Sequence, residues 1–232
     1  MTEIEEIKRQ VVKQALELEP GGFRPTNSLT ESWIGRVYLY KENERIPLDK
    51  NGEQMIPLLQ LCIDNLPLIP KALSKTKVIT VFIASELPFE ITPNGKEWIL
   101  REYTESDELV IKDLKNPSSL LKAFPLKPKI IKEDYPVFDG GGLANELEDR
   151  ILELEESGVI DDYGELLDNV YGHKLGGYPS FCQPGPDFGK GFEFVFQVAS
   201  DEKVNLNIVD DGTFFFVKNH QTEEWKYYCD FY

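Results

Sequence analysis

Apolar positions recur with a period near 3.6 only at the start of the chain and near its middle. Ile4, Ile7, Val11, Leu16 and Leu18 predict a helix from Thr2 to about Glu19. A capping box between Thr2 and Glu5 opens it, and Pro20, Gly21 and Gly22 close it. Elsewhere the apolar residues fall into short runs typical of strands: Ile56 to Ile63, Lys77 to Ala84, Trp98 to Tyr103, Phe192 to Val198, Thr213 to Lys218 and Trp225 to Tyr232. In the first run Leu59 and Leu61 share one face, and Gln60 and Cys62 the other. Phe192, Phe194, Phe196 and Val198 alternate with Glu193, Val195 and Gln197, which predicts one well-buried face. The run Phe214 to Val217 is apolar on both faces, as a central strand would be, and the closing strand is read as an edge. Leu143, Leu147, Ile151 and Leu154 predict a helix from about Leu143 to Ser157, and Asp162 with Glu165 starts a shorter one to about Val170.

These runs fall into two similar series. Gln60, Asp64, an apolar run and Glu97-Trp98 in the first half match Gln197, Asp201, an apolar run and Glu224-Trp225 in the second. The chain therefore reads as one domain, 1–232, of two intimately packed pseudo-repeats (about 25–104 and about 142–232). A Lys/Pro-rich connector (about 105–141) joins them, in which Pro117, Pro125, Pro128 and Pro136 rule out a long helix. The expected class is α+β: an internally duplicated, largely antiparallel sheet with an N-terminal helix and a central helical segment packed on it.

Composition adds a broad class. Of 232 residues 41% are hydrophobic, too many for disorder, and no apolar run approaches the roughly 18 residues of a membrane span. The acidic start, Thr2-Glu3-Ile4-Glu5-Glu6, is unlike a secretory signal, and three widely spaced cysteines imply no disulfide framework. The expected location is the cytoplasm.

Charge distribution says more than the net −16. Residues 139–168 hold eleven Asp or Glu against Arg150 alone, while six Lys and one Asp113 lie between Lys112 and Lys132. Such an acidic surface repels phosphate backbones and attracts basic proteins or peptides, so nucleic acid is not an expected partner. The plainer alternative is a solvated helix face.

The candidate chemistry is sparse. His173 sits in Tyr171-Gly172-His173-Lys174-Leu175-Gly176-Gly177, where it could overlook a pocket or simply bond a helix end or loop carbonyl. His173 and Cys182, and His220 and Cys229, are each nine residues apart, but zinc sites need at least one short pair, so no metal is expected. Gly140-Gly141-Gly142 lacks the Lys-Ser/Thr of a phosphate loop. Gln60 and Gln197 are read as fold-forming, and Gly176-Gly177 as a tight turn.

His173-Lys174-Leu175-Gly176-Gly177-Tyr178-Pro179, then Gln183, Gln197, the Asp211-Gly212 turn, Trp225 and Cys229-Asp230 resemble the YwqG-like family of bacterial proteins. Ser32 to Tyr38, Met55 to Gln60, Leu66-Pro67 and Val78 to Phe82 fit more loosely, and Gly35-Arg36 stands where that family usually has Gly-Gly. That family is similar to a superfamily containing eukaryotic chaperones of ribosomal proteins, and bacterial members are suspected immunity proteins against toxins. The resemblance implies no catalytic residue and no cofactor. The expected function is a cytoplasmic, non-catalytic protein-binding module that sequesters a basic partner, as chaperone or toxin-immunity factor, through Glu148, Asp149, Glu155 and Glu156. The alternative is a small-molecule-binding protein or enzyme using a cleft between the halves, with His173, Gly176, Gly177 and Gln183 as the candidate pocket.

Overall fold

The structure, a computed structural model, describes residues 2–232. Its strands are β1 (Lys13–Pro20), β2 (Trp33–Ile34), β3 (Leu39–Tyr40), β4 (Ile56–Cys62), β5 (Val78–Ile83), β6 (Thr92–Pro93) and β7 (Trp98–Tyr103). β8 (Val110–Ile111), β9 (Phe124–Asp134), β10 (Lys174–Gly176), β11 (Phe192–Ala199), β12 (Thr213–Asn219) and β13 (Trp225–Asp230) follow. Eleven of them form one antiparallel sheet in the order β6-β13-β12-β11-β10-β1-β9-β2-β4-β5-β7, while β3 and β8 pair apart. The sheet curls into a half-barrel, and both of its arms feed one apolar core.

This corrects the α+β expectation. The protein is mostly antiparallel β, with two short helices, α1 (Glu3–Val11) and α2 (Asn145–Glu156), and one further helical turn, α3 (Tyr163–Leu166). The helical segment is a small layer with its own core, in which Ile7 and Val11 of α1 meet Ile151 and Leu154 of α2, Tyr135 and Leu166. Thr2 and Glu5 do form the capping box. The helix nevertheless stops at Val11, because Leu16 and Leu18 alternate with Glu17 and Glu19. That period of two places Leu16 and Leu18 in the main core as part of a strand.

The expected connector also contains a strand. β9 runs beside β1 from Leu126 to Asp134 and beside β2 at Phe124 and Pro125. Its prolines sit where no neighbour needs an N–H: Pro125 lies opposite Gly21, just past β1, and Pro128 lies beyond the reach of the two-residue β2. The segment Asn116 to Leu121 forms a turn and no helix. β13 lacks a full outer neighbour, as expected of an edge, and β6 covers it only at Lys226 and Tyr227.

Read outward from the central β1–β9 pair, the two arms present the same order of strands: β10, β11, β12, β13 on one side and β2, β4, β5, β7 on the other. Each carries a register shift at the corresponding place, between Pro57 and Leu59 in β4 and between Phe194 and Phe196 in β11. These bulges break the simple alternation, so Leu58 and Val195 enter the core beside Leu59 and Phe196. Gln60 and Gln197 follow the bulges and are fully buried. Gln60 Oε1 accepts the Tyr38 and Leu39 N–H groups at 3.0 Å each, and its Nε2 donates to the Glu31 carbonyl at 3.0 Å. Gln197 Oε1 accepts the Ser180 N–H at 3.0 Å, and its Nε2 donates to the Gly172 carbonyl at 2.9 Å. Each amide thus pins the loop around its arm's first strand.

Replacing Gln60 or Gln197 by Leu would orphan these buried backbone groups, and each change is expected to cost about 2 kcal/mol or more. Gln183→Leu, at an exposed position, should stay within about 0.5 kcal/mol of the parent. Urea denaturation distinguishes the cases; equal midpoints would remove the buried amides from this role.

Candidate functional site

His173 is buried at the start of β10. Its Nδ1 accepts the Ala199 N–H at 3.1 Å, which leaves the proton on Nε2, 3.4 Å from the Asp201 carboxylate. The neighbouring His173 imidazole, with the Val204 and Lys203 backbone N–H groups, holds the Asp201 carboxyl below its ordinary range. His173 therefore clasps the end of β11 to the loop after it. Gly176 and Gly177 follow with φ of 72° and 69°. Gln183 lies on the exposed loop beyond, where its backbone N–H, like that of Cys182, donates to the Asp230 carboxylate. These four positions do not converge on one pocket. Gly177 alone borders a recess of about 360 Å³, with Lys13, Tyr178, Phe181, Phe188 and Phe194.

What the loop does enclose is an ion pair the sequence reading did not single out. Lys174 Nζ lies 3.2 and 3.1 Å from the two oxygens of Asp134, and both side chains are 0% exposed. Asp134 also accepts the Val170 N–H at 3.0 Å and the Tyr178 N–H at 2.7 Å. A Cβ on Gly177 would come within 2.1 Å of Asp134 Oδ2, so only glycine fits there. At the matching place in the other arm, where the first strand also ends in a glycine of positive φ (Gly35), there is no such carboxylate. Arg36 stands there, its guanidinium over the Trp33 and Tyr38 rings. Asp134 ends a run rich in Lys, Pro and Ile, and no local pattern there marks it as buried.

Two larger concavities lie between the arms. One, of about 650 Å³, is mainly apolar and bordered by Ile56, Ile83, Leu121, Ile208, Phe214 and Cys229. Burial raises the Cys229 thiol to about 11, so it stays protonated and poorly nucleophilic at neutral pH. The other, of about 620 Å³, is bordered by Lys71, Lys75, Glu102, Glu193, Lys218 and His220.

On α2, Asp149, Glu155 and Glu156 are exposed, together with Glu146 and Glu153, whereas Glu148 is half-buried. Arg150 pairs with Glu3 at 2.9 Å. Leu152 and Val159 are exposed apolar side chains on and just after the same helix. Among the described residues no group of three or more His, Cys, Asp or Glu could hold a metal ion. His220 instead faces Glu193 at 3.8 Å, and Cys182 lies by Asp230. No helix among the described residues is long and apolar enough to cross a membrane.

Residues 33–228 match a family described as a domain of unknown function (DUF1963), and the chain belongs to that family. No curated protein matches the chain. The family match begins at β2 and ends within β13, so it spans both arms, β9, α2 and α3, while α1 and β1 precede it.

Burial lowers the Lys174 ammonium to about 8, although Asp134 pulls it upward. The folded protein thus releases this proton before the unfolded chain does. The charged ammonium weighs against folding below pH of about 8, and this penalty is relieved as pH rises toward the ordinary lysine value. In a pH titration by NMR, the Lys174 Nζ resonance is expected to move well before those of the exposed lysines. Titration of Lys174 at the ordinary lysine value would contradict the buried placement.

Proposed function

We propose that this protein is a non-catalytic cytoplasmic binding module that sequesters a basic protein or peptide on the acidic face of α2. The observation that carries the reading is where the charges sit. The last turn of α2 contains no basic residue and presents Glu153, Glu155 and Glu156. Carboxylates at a helix C-terminus face the negative end of the helix dipole, so they weaken the helix that bears them. Their presence is therefore not explained by helix stability. Glu146, Asp149, Glu153, Glu155 and Glu156 stand exposed beside Leu152, which combines a steering field with an apolar contact. The resemblance to YwqG-like proteins, and through them to chaperones of ribosomal proteins, supports a basic client or a toxin as the partner.

A second reading rests on the apolar concavity between the arms, whose volume suits a small ligand. His173, the one candidate general base near the second arm's first strand, is buried with its Nδ1 held by Ala199, and it does not border that space. Binding there, without catalysis by an imidazole, is the form this reading takes.

The test is a quadruple variant, Glu148→Lys, Asp149→Lys, Glu155→Lys and Glu156→Lys, compared with the parent chain. Affinity capture from the native host, with mass spectrometry, should recover a basic protein on the parent and lose it on the variant. Association of that purified protein should slow as salt is added, because exposed charges are screened over about 10 Å at 0.1 M. The urea midpoint should change little, since such charges contribute little to stability. Equal association rates for parent and variant at low salt would leave α2 as a solvated face.

A further inference from the structure

The two concavities between the arms occupy corresponding places in the fold. Ile83 pairs with Ile56 and with Trp98, as Lys218 pairs with Glu193 and with Trp225. In the same register Cys229 stands opposite Phe214, and Glu102 opposite Ile79. One concavity therefore has Ile56, Ile83 and Cys229 where the other has Glu193, Lys218 and Glu102. The scaffold closes the first with apolar side chains, so its geometry alone does not demand charge in the second. Replacing a buried ion pair with apolar groups of similar volume is commonly neutral or stabilising. The retained charges therefore call for a reason other than packing.

Lys218 is 3% exposed, and its Nζ has three partners. Glu102 lies at 2.9 Å, the Ala72 carbonyl at 3.3 Å and Glu223 at 2.6 Å. Glu102 is itself built in: Thr76 donates to its Oε1, and the Trp225 indole donates to its Oε2 at 3.0 Å. Glu223 is different. Its side chain is 66% exposed, it reaches in from a turn where its own φ is 59°, and no neighbour other than Lys218 fixes its carboxylate at hydrogen-bond distance. Lys71 and Lys75 stand exposed at the rim. The buried ammonium thus has one permanent carboxylate and one that can leave toward solvent.

We propose that this recess binds a small molecule through an oxyanion, carboxylate or phosphate, which takes the place of Glu223 on Lys218. Lys71 and Lys75 supply the remaining positive charge once Glu223 has swung out, and Trp225 reports the event because its indole shares Glu102 with Lys218.

Inorganic phosphate and succinate, titrated separately at low ionic strength, test the site and separate the two anion chemistries. At least one should give a saturable change in tryptophan fluorescence. Glu223→Gln removes the internal competitor and should tighten binding about two- to five-fold, the range expected for an exposed ion pair. Lys218→Met should abolish the response, while Glu86→Gln in the apolar concavity should leave it unchanged. Should Lys218→Met fail to fold by circular dichroism, Lys75→Gln replaces it, with weaker binding expected. Absence of saturation with both anions, in the parent and in Glu223→Gln alike, would overturn the proposal. So would undiminished affinity in Lys218→Met, or in Lys75→Gln where that variant is the one used.

Discussion

The Asp134 carboxylate joins the end of β9, β10 and the segments on both sides of β10 in the interior of the molecule. It ends β9, receives Lys174 from β10, and accepts the backbone N–H groups of Val170 and Tyr178 on either side of that strand. Asn169, also in contact with Lys174, donates to the Tyr135 carbonyl, and the Tyr178 hydroxyl donates to the Val11 carbonyl at the end of α1. The helical layer is thereby tied to the centre of the sheet. A buried ion pair is often no more stable than an apolar replacement. Here the carboxylate also serves two backbone N–H groups, which an apolar side chain would leave unpaired. Its position is specific for the same reason: only one register of β9 against β1 places it among these partners.

Much of the β architecture was legible because its elements are short, apolar and punctuated by turns. β4, β5, β7, β11, β12 and β13 lie within a residue or two of the runs that predicted them. The fold class was misjudged at two segments where local pattern and tertiary context compete. In Lys13–Pro20, Leu16 and Leu18 extend a helical stripe only if their spacing of two is overlooked. In Phe124–Asp134, two prolines and five basic or acidic side chains resemble a linker, and only the pairing with β1 makes a strand of it. Both errors fell on the same pair of strands, the middle of the sheet, so they moved the whole reading from β toward α+β.

The candidate site was less legible than the fold. His173 and Gly176-Gly177 are chemistry-bearing types, yet the histidine is buried, its Nδ1 accepts a backbone N–H and its Nε2 lies 3.4 Å from the Asp201 carboxylate. The second glycine exists to admit Asp134. Lys174, adjacent to the histidine, was hidden by its type, since a lysine is read as surface until a buried partner is found for it. That partner lies forty residues away. Lys218 was hidden in the same way by its place in a strand of phenylalanines, next to Val217. The curl of the sheet, which no local pattern encodes, supplied both partners, since neither carboxylate lies on a strand hydrogen-bonded to its lysine's own.

Comparing the arms separates what the scaffold requires from what it permits. The bulge, the buried glutamine and the tryptophan of the last strand occur in both, so they belong to the geometry of a curled arm. Features confined to one arm do not have that explanation. Trp98 gives its indole N–H to the Thr92 carbonyl, a backbone group the fold supplies, whereas Trp225 gives its own to a carboxylate that holds a lysine. Both tryptophans are buried and both are satisfied, so stability does not choose between the two arrangements. The second arrangement places a charged pair, with an exposed third member, beside an open recess, and the first places Ile56, Ile83 and Cys229 at the matched positions. Divergence at matched positions of one sheet, under the same packing constraint, is the form that a specialised site takes when the rest of the scaffold is held fixed.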